Sequence, residues 1–469
     1  MRYNLSMVDR TAPSSSSAPF ETRLAAIVKA LQAMDVVPAL AQLRALAPAT
    51  NDGRQLQHIA QSFTRLNRHR EAADCYRRSL ATQPRNPEYL YNLATAEIAL
   101  GNMAAAELLL DHVIALAPHD YDAYYNRATL RKQTTANNHV ADVEKLLAAA
   151  LTNPAGEAAL GYALAKELED LAEYRHSFAA LKRGGDGRKR LLSYRVDEDV
   201  RAMDAIAGAF GVDFFAKPAE GHAAAAPIFI LGLPRSGTTL VDRILSAHSD
   251  VESLGEISNF ASALMRATPS AKNKFELIAA TAKADLAAVG RAYVESMRAL
   301  ADGGERLIDK TPLNFIYTGL ITRALPNATI VHVRRGAMDV CYAMYKTLFR
   351  MAYPFSYDLG DLAAYYLSYR KLMMHWQSAL PGRIVEIRYE DIVSAQEATT
   401  RKLIADCGLA WEDACLSPEA NAQPSLTASA SQVRQKVYSS SVGLWRNYTN
   451  ELQPLARVLA AGGIDIETE

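Results

Sequence analysis

The segment from Pro227 to Glu256 restricts, more than any other, which folds this chain can adopt. It begins with an apolar run, Ile228–Leu231, which predicts a buried strand. The loop Gly232-Leu-Pro-Arg-Ser-Gly-Thr-Thr239 follows, and an amphipathic helix comes after it. A strand, a glycine-bearing loop and a helix gather loop amides and a helix N-terminus around one point, where they can bind phosphate. The segment therefore predicts a phosphate-binding turn in an α/β domain.

This loop differs from a Walker A loop at one position. A Walker A loop reads G-x-x-x-x-G-K-[ST], and its lysine contacts the outer phosphates of a nucleoside triphosphate. Here Thr238 stands in the place of that lysine. We expect a loop that holds a phosphate but lacks the residue that acts on a γ-phosphate, and a nucleotide kinase is therefore a disfavoured alternative.

Several separated motifs together resemble the sulfotransferase family. Pro234-Arg-Ser-Gly-Thr-Thr-Leu240, followed by Ala247-His-Ser-Asp-Val251 and then Gly255-Glu256, is similar to the 5′-phosphosulfate loop of tyrosylprotein sulfotransferases and of bacterial relatives with helical repeats in front. The resemblance spans roughly residues 226 to 455. It implies a P-loop-like domain that uses 3′-phosphoadenosine 5′-phosphosulfate (PAPS) as sulfuryl donor, and no metal.

The resemblance assigns the loop to the 5′ end of the donor. An arginine suits this position because its planar guanidinium can form two hydrogen bonds with phosphate oxygens. A tight turn without a ligand is the alternative interpretation. The residues implied to surround the 5′-phosphosulfate are Arg235, Ser236, Gly237, Thr238, Thr239 and Leu240.

Three residues are implied in the transfer itself. Glu256, 21 residues after Arg235, matches the catalytic base, which takes the proton of a hydroxyl acceptor. Lys310 matches a lysine that stabilises the charge on the departing phosphate. Ser429 matches a serine that stabilises the transferring group, in a loop that closes over the nucleotide. A helix-capping carboxylate, a strand-end lysine and a polar surface loop are the alternatives.

The resemblance assigns the donor's 3′-phosphate to Arg334 and Arg335. Arg335 and the aspartate four residues later fit the family pattern R-x-x-x-D-x-x-x-S, but the expected serine is Ala343. Counting from Arg334 gives Tyr342 instead. One hydrogen bond to a charged group is therefore missing, which would cost about 1.5–3 kcal/mol of donor binding, unless Lys346 replaces it. A basic strand end on a solvated face is the alternative.

The remaining assignments concern the nucleotide and the acceptor. Tyr389, at the end of a predicted strand, matches a nucleotide-contacting tyrosine, and Tyr438 lies in the closing loop with Ser429. The relatives carry an arginine two residues after the base, which meets acidic peptides, and here that position is Ser258. Protein tyrosine is therefore one acceptor candidate beside a sugar, a lipid or a small phenol.

Ahead of this domain, the sequence repeats every 34 residues. Pro84 and Pro118 recur at this interval, and Asn67 stands where the next unit has Gly101. The period is typical of tetratricopeptide repeats, helix pairs that stack into a solenoid because one pair cannot bury its apolar face alone. Such a surface is expected to bind a protein or an extended peptide.

The chain is therefore predicted to have two parts, an α solenoid and an α/β domain with a parallel sheet. The predicted strands, Ile228–Leu231, Arg306–Ile308, Thr329–Val333 and Ile384–Arg388, alternate with helices. The predicted boundaries are 1–19 for a disordered lead, 20–186 for tetratricopeptide repeats, 187–226 for a helical connector and linker, and 227–469 for the sulfotransferase domain.

Composition narrows the classes of function. The 51 basic and 51 acidic residues balance, which argues against a nucleic-acid or membrane-surface binder. Four scattered cysteines indicate a reduced, cytoplasmic protein without a zinc site. The sequence predicts neither a signal peptide nor a membrane span. The rival hypothesis is a tetratricopeptide scaffold with an inactive sulfotransferase-like domain, in line with Ala343.

Overall fold

The computed structural model describes residues 18–32, 35–149, 153–216, 221–223, 226–350, 352–425 and 427–467. Nearly all of the predicted disordered lead, and residues 217–220, 224 and 225 of the predicted linker, lie outside these ranges. Within them, a helical N-terminal part precedes one parallel sheet covered by helices, which confirms the predicted fold class.

The N-terminal part, as far as it is described, consists of ten α-helices. The helices are α1 (Ala18–Gln32), α2 (Val36–Leu46), α3 (Gly53–Arg65), α4 (His69–Thr82), α5 (Pro87–Leu100), α6 (Met103–Leu116), α7 (Tyr121–Ala128), α8 (Val140–Ala148), α9 (Pro154–Asp170) and α10 (Tyr174–Lys189). The pairs α3–α4 and α5–α6 carry the residues that recur every 34 positions, Asn67 and Pro84 in or after the first pair and Gly101 and Pro118 in or after the second.

Local sequence explains the start and the end of α5. The Asn86 side chain accepts hydrogen bonds from the amides of Glu88 and Tyr89, and Pro87 occupies the first turn. Gly101 ends the helix in the left-handed conformation, with φ 91°. The equivalent turn after α3 contains Asn67 with φ 55°. Asparagine is among the few residues that tolerate this conformation, so Asn67 occupies a glycine position and adds a side chain.

The regular period ends after α6. Helix α7 has only eight residues, and irregular chain separates it from α8. The last pair, α9 and α10, packs closely: a Cβ at Gly161 would lie 2.7 Å from the backbone of Gly184. Only glycine allows this approach of the two helices. Helix α10 continues to Lys189, three residues past the predicted limit of the repeats.

The sheet has five parallel strands in the order β2-β3-β1-β4-β5 among the described residues. They are β1 (Ile228–Gly232), β2 (Val251–Ser253), β3 (Arg306–Asp309), β4 (Thr329–Arg334) and β5 (Ile384–Arg388). The four predicted strands are present, with ends that differ by at most one residue. The fifth, β2, was not predicted, because three residues are too few to show a period.

Helices surround this sheet, which has the fully buried β1 at its centre. They are α11 (Val196–Ala209), α12 (Val212–Ala216), α13 (Thr238–Leu245), α14 (Asn259–Ala267), α15 (Lys274–Thr281), α16 (Leu286–Leu300), α17 (Thr318–Ala324), α18 (Ala337–Tyr345), α19 (Leu359–Ala379), α20 (Tyr389–Ser394), α21 (Gln396–Asp406) and α22 (Gln453–Ala461). Because β3, β1 and β4 are neighbours, the loops that follow them meet at one edge, where ligands of parallel sheets bind. None of the helices in the described ranges is long and apolar enough to cross a membrane.

Candidate active site

The loop between β1 and α13 forms the floor of the site. Gly237 has φ 107° and immediately precedes α13. A Cβ at this position would lie 2.7 Å from Cδ2 of Tyr389, so a larger residue would collide with the ring. Arg235 also has a positive φ, 69°, which is uncommon for a residue other than glycine. The loop therefore turns sharply and places Arg235 in the pocket that Tyr389 also lines.

The Arg235 guanidinium contacts the segment 427–438, here termed the closing loop. It donates hydrogen bonds to Ser429 Oγ and, at 2.6 Å, to Gln432 Oε1. Thr239 Oγ1 lies 3.4 Å from Thr427 Oγ1, a second contact between the two loops. Burial lowers the pKa of Arg235, an effect that the nearby Tyr438 opposes and Arg335 reinforces. An anion beside this buried guanidinium would stabilise its charge.

Arg335 lies beside the same loop. Its guanidinium donates to the backbone oxygen of Arg235 at 3.3 Å and to that of Ser441 at 2.5 Å, and lies 4.7 Å from the centre of the Tyr389 ring. The Nε atoms of Arg235 and Arg335 are buried without a hydrogen-bond partner in the described structure. Two neighbouring guanidinium groups with unused donors form a suitable site for a polyanion.

Arg334 points elsewhere. Its guanidinium donates to Glu386 Oε1 at 2.7 Å, and it does not line the pocket that contains Arg335. Arg334 lines a small neighbouring cavity with Ser236 of the loop after β1, but of the two arginines it is Arg335 that lines the pocket with Arg235 and Tyr389. The structure places Arg335 there, in register with Asp339, whose carboxylate accepts from the Gly443 amide at 2.9 and 3.0 Å.

These residues line one pocket, here termed the cationic pocket. Four cations and one carboxylate line it, namely Arg235, Arg335, Lys346, Lys436 and Asp339, and the rings of Tyr342, Tyr389 and Tyr438 complete the wall. This donor set fits a nucleotide that carries several phosphates. Thr238, Thr239, Leu240 and Ser429 also line the pocket, whereas Ser236 is buried outside it.

Glu256 and Lys310 lie together in a second pocket, here termed the Glu256 pocket. Lys310 Nζ donates to Glu256 Oε1 at 2.6 Å. The lysine side chain is only 1% exposed, whereas that of Glu256 is 41% exposed. Thr427 also lines this pocket and, through its contact with Thr239, connects it to the cationic pocket. The arrangement holds a fixed cation beside a carboxylate that is accessible to a second reactant.

The end of β3 supports Lys310. The buried Asp309 carboxylate accepts hydrogen bonds from Thr311 at 2.7 Å and from Tyr293 at 3.0 Å. Burial raises the pKa of Asp309 to about 7, against the lowering effect of these hydrogen bonds. Thr311 also accepts from the Ile257 amide at 3.1 Å, which ties the loop that carries Glu256 to β3.

Lys346, the predicted substitute for the missing serine, contacts the repeats. It donates to Glu169 Oε1 at 2.5 Å, and Tyr342 donates to Glu169 Oε2 at the same distance. Ala343 is 5% exposed and lines the cationic pocket. The side chain at the position of the expected serine therefore faces the pocket, whereas Lys346 is paired with Glu169 of α9.

Two contributors from the repeats were not predicted from the sequence, Asn67 and Glu169. Asn67 hydrogen bonds to the loop that carries Glu256. Its presence at a glycine position of the 34-residue period was a visible signal. Glu169 carried no such signal, because helix α9 lies beyond the regular repeats.

Comparisons with known proteins agree with this arrangement of domains. A model of the sulfotransferase family matches residues 227–413, and a tetratricopeptide repeat model matches residues 64–131. The chain therefore carries a sulfotransferase-family domain behind tetratricopeptide repeats.

The chain is also similar to particular proteins. It is 29% identical over 408 residues to an uncharacterized protein of Aquifex aeolicus (strain VF5), a match that covers 84% of this chain and 53% of that protein. It is 25% identical over 252 residues to a putative protein-tyrosine sulfotransferase of Caenorhabditis briggsae, covering 51% and 89% of the two chains. It is 26% identical over 208 residues to a protein-tyrosine sulfotransferase of Drosophila melanogaster, a match that covers 41% of this chain and 40% of that protein.

The match thus spans about half of the Aquifex relative's length. Among solved structures, the sulfotransferase domain from the curacin biosynthetic pathway is 18% identical, with a TM-score of 0.35 over 51% of this chain and 98% of that one.

Proposed function

We propose that this protein is a sulfotransferase that transfers the sulfuryl group of PAPS to the hydroxyl of an acceptor. The observation that carries the proposal is the 2.6 Å contact between Glu256 and the buried Lys310, in a pocket joined to the cationic pocket through Thr427. A base and a fixed cation beside a polyanion site are the groups that sulfuryl transfer needs.

Arg235 and the amides of the loop 235–239 would hold the 5′-phosphosulfate, and Arg335 the 3′-phosphate. Tyr389 and Tyr438 would contact the nucleotide. PAPS supplies a sulfuryl group that is already activated by its anhydride bond to phosphate. The protein cations can therefore stabilise the leaving group, a task for which ATP-dependent enzymes use magnesium.

In this mechanism Glu256 accepts the proton of the acceptor hydroxyl while the new S–O bond forms. The bond between sulfur and the bridging phosphate oxygen breaks, and its electron pair stays on that oxygen. Lys310 stabilises the charge that develops there. Ser429, which contacts Arg235, would donate to the transferring group from the closing loop.

The acceptor we propose is a phenol or another hydroxyl compound with an apolar body, and protein tyrosine is the first candidate. Two of the matched relatives are named as protein-tyrosine sulfotransferases. A cavity on the other side of Glu256 is lined mainly by apolar side chains, among them Leu66, Leu313, Ile316 and Tyr317. Such a wall favours an aromatic or aliphatic acceptor over a sugar.

A protein or peptide partner on the exposed part of the repeats is also proposed, since tetratricopeptide surfaces serve this purpose. Part of the repeat surface contacts the catalytic domain instead. For example, the backbone oxygen of Ala99 accepts from the Ser425 amide at 2.8 Å and from Arg434 at 3.0 Å. A partner would therefore bind elsewhere on the solenoid.

A scaffold with an inactive domain is the second candidate. It is favoured by Ala343 in place of a serine and by the pairing of Lys346 with Glu169. Thermal unfolding with 3′-phosphoadenosine 5′-phosphate or ATP separates the candidates. A ligand at 100 times its Kd stabilises the folded state by about 2.7 kcal/mol.

We expect stabilisation by the 3′-phosphorylated nucleotide alone, followed by transfer from ³⁵S-labelled PAPS to a tyrosine peptide or 4-nitrophenol. Nucleotide binding without transfer to any tested hydroxyl would favour the scaffold. Stabilisation by ATP alone would contradict the PAPS proposal.

A further inference from the structure

One side chain of the repeats reaches the loop that carries Glu256. Asn67 Nδ2 donates to the backbone oxygen of Leu254 at 3.0 Å and to that of Glu256 at 2.9 Å. Both partners are acceptors, so the amide nitrogen of Asn67, and not its oxygen, must face the loop. Both of its hydrogens are then used on two carbonyls that flank Gly255.

The chain at this point has carbonyl groups that the sheet does not pair. Strand β2 lies at the edge of the sheet, and the loop that carries Glu256 continues from it. Gly255 has φ 69°, and its own carbonyl accepts from the Lys310 amide at 3.0 Å. The carbonyls on either side accept from Asn67. Backbone carbonyls that are removed from water need a hydrogen-bond donor, and Asn67 supplies one to each of these two.

The conformation of Asn67 shows that its side chain is not needed for the turn itself. Its φ is 55°, and the equivalent residue of the next unit is Gly101, which adopts this region at no steric cost. The adjacent Arg68 donates to the backbone oxygen of Leu300 at 3.0 Å and to Asp302 at 2.8 Å. The turn between α3 and α4 therefore contacts the domain with the sheet at two places. One is the loop around Gly255, and the other is the segment just before β3.

We propose that Asn67 is a positioning residue that holds the Glu256 loop against Lys310, so that the repeats complete the catalytic centre. The inference rests on the proposed role of Glu256 as the base. Asn67 does not touch the reacting atoms. It fixes the backbone from which the Glu256 carboxylate extends, and a displacement of about 1 Å at such a position can reduce turnover about a hundredfold.

The test compares the full-length wild type with Asn67→Gly and Asn67→Asp. Glycine keeps the left-handed turn and removes only the side chain, whereas aspartate keeps the shape and replaces the donor with a carboxylate. Ala172→Gly is the matched control, because Ala172 is an exposed residue with φ 62° in the turn between α9 and α10. Turnover of ³⁵S-labelled PAPS with the best acceptor of a tyrosine peptide and 4-nitrophenol is measured beside thermal unfolding.

A second readout does not depend on activity. Hydrogen exchange of the Lys310 amide reports the bond to Gly255 directly. We expect Asn67→Gly to lower kcat about tenfold to a hundredfold and to speed this exchange. The KM for PAPS and the unfolding temperature should stay close to those of Ala172→Gly. Asn67→Asp should lower kcat at least as much.

Unchanged kcat and unchanged exchange in Asn67→Gly would overturn the proposal. A loss of kcat that only follows a loss of thermal stability would also overturn it, since that outcome defines a purely structural role. If the wild type transfers no label to either acceptor, the proposed function fails by itself. The exchange of the Lys310 amide then decides the positioning role.

Discussion

The two pockets of the proposed catalytic centre are built in different ways. All residues that line the cationic pocket lie after the repeats, from Arg235 to Leu444. The Glu256 pocket is shared, because residues 66–71 of the repeats form one of its walls. In the proposed function, the donor end of this centre is therefore formed by one part of the chain, and the acceptor end is formed where the repeats contact the domain with the sheet.

Changes in the repeats should therefore affect the two pockets differently. A domain that binds its nucleotide alone can keep this ability when its neighbours change. The loop that carries Glu256, in contrast, accepts a hydrogen bond from Asn67, which lies 189 positions earlier in the sequence. We therefore expect variants of the two pockets to separate nucleotide binding from turnover.

The largest effect is expected from Glu256→Gln. Without the base, transfer should fall by about 10²- to 10⁴-fold, because glutamine cannot take the acceptor's proton. Affinity for 3′-phosphoadenosine 5′-phosphate, measured by calorimetry, should hardly change, since Glu256 does not line the cationic pocket. Glu305→Gln, an exposed carboxylate just before β3, is the control and should behave as the wild type. Full turnover in Glu256→Gln would remove Glu256 from the mechanism.

The next largest effect concerns the two adjacent arginines. Arg335→Met should weaken binding of the same nucleotide by about 1.5–3 kcal/mol, or about tenfold to a hundredfold. Arg334→Met is the matched control, because Arg334 pairs with Glu386 outside the pocket. Calorimetry on both variants shows whether Arg334 or Arg335 is the arginine that begins the R-x-x-x-D-x-x-x-S motif. A larger loss in Arg334→Met than in Arg335→Met would contradict the position that the structure gives to Arg335.

The same pair shows what sequence could and could not predict. Short motifs located Arg235, Lys310 and Arg335 on loops that follow three neighbouring strands, because strand–loop–helix units are local. The motif favours Arg335, which is in register with Asp339, but it does not exclude Arg334, because the sequence does not state which side chain faces the site.

Contacts between distant parts of the chain were beyond the sequence patterns. The bonds from Asn67 to the Glu256 loop and from Glu169 to Lys346 join residues that no period or motif connects. Strand β2 was missed for a different reason, because it has only three residues. Periodic patterns predict elements and local motifs, whereas the docking of two domains is decided by many weak contacts together.

A smaller effect is expected at the position of the missing serine. Ala343→Ser restores a hydroxyl that faces the cationic pocket and can donate to a charged phosphate. Because the pocket is arranged around alanine, we expect it to regain only part of the about 1.5–3 kcal/mol of such a bond. Binding of 3′-phosphoadenosine 5′-phosphate should tighten about twofold to tenfold. Ala343→Cys adds a group of similar shape with a weak donor and is the control. Equal affinities in all three proteins would show that this position does not contact the nucleotide.

The smallest effect on catalysis is expected at Asp309, the buried last residue of β3, just before Lys310. Burial raises its pKa to about 7, against about 3.9 for an aspartate in an unfolded chain. Between these values the folded state binds more protons than the unfolded state. The contribution of Asp309 to stability is therefore complete below about pH 4 and is lost as the pH rises to about 7.

Asp309→Asn removes this dependence, because asparagine does not titrate. The free energy of unfolding of the wild type minus that of Asp309→Asn, from urea titrations, should fall between about pH 4 and pH 7. Asp74→Asn, on the exposed surface of α4, is the control and should show no such fall. A difference that rises with pH would mean that the hydrogen bonds from Thr311 and Tyr293 outweigh burial. The buried carboxylate next to Lys310 in the sequence would then be charged in the folded protein at neutral pH.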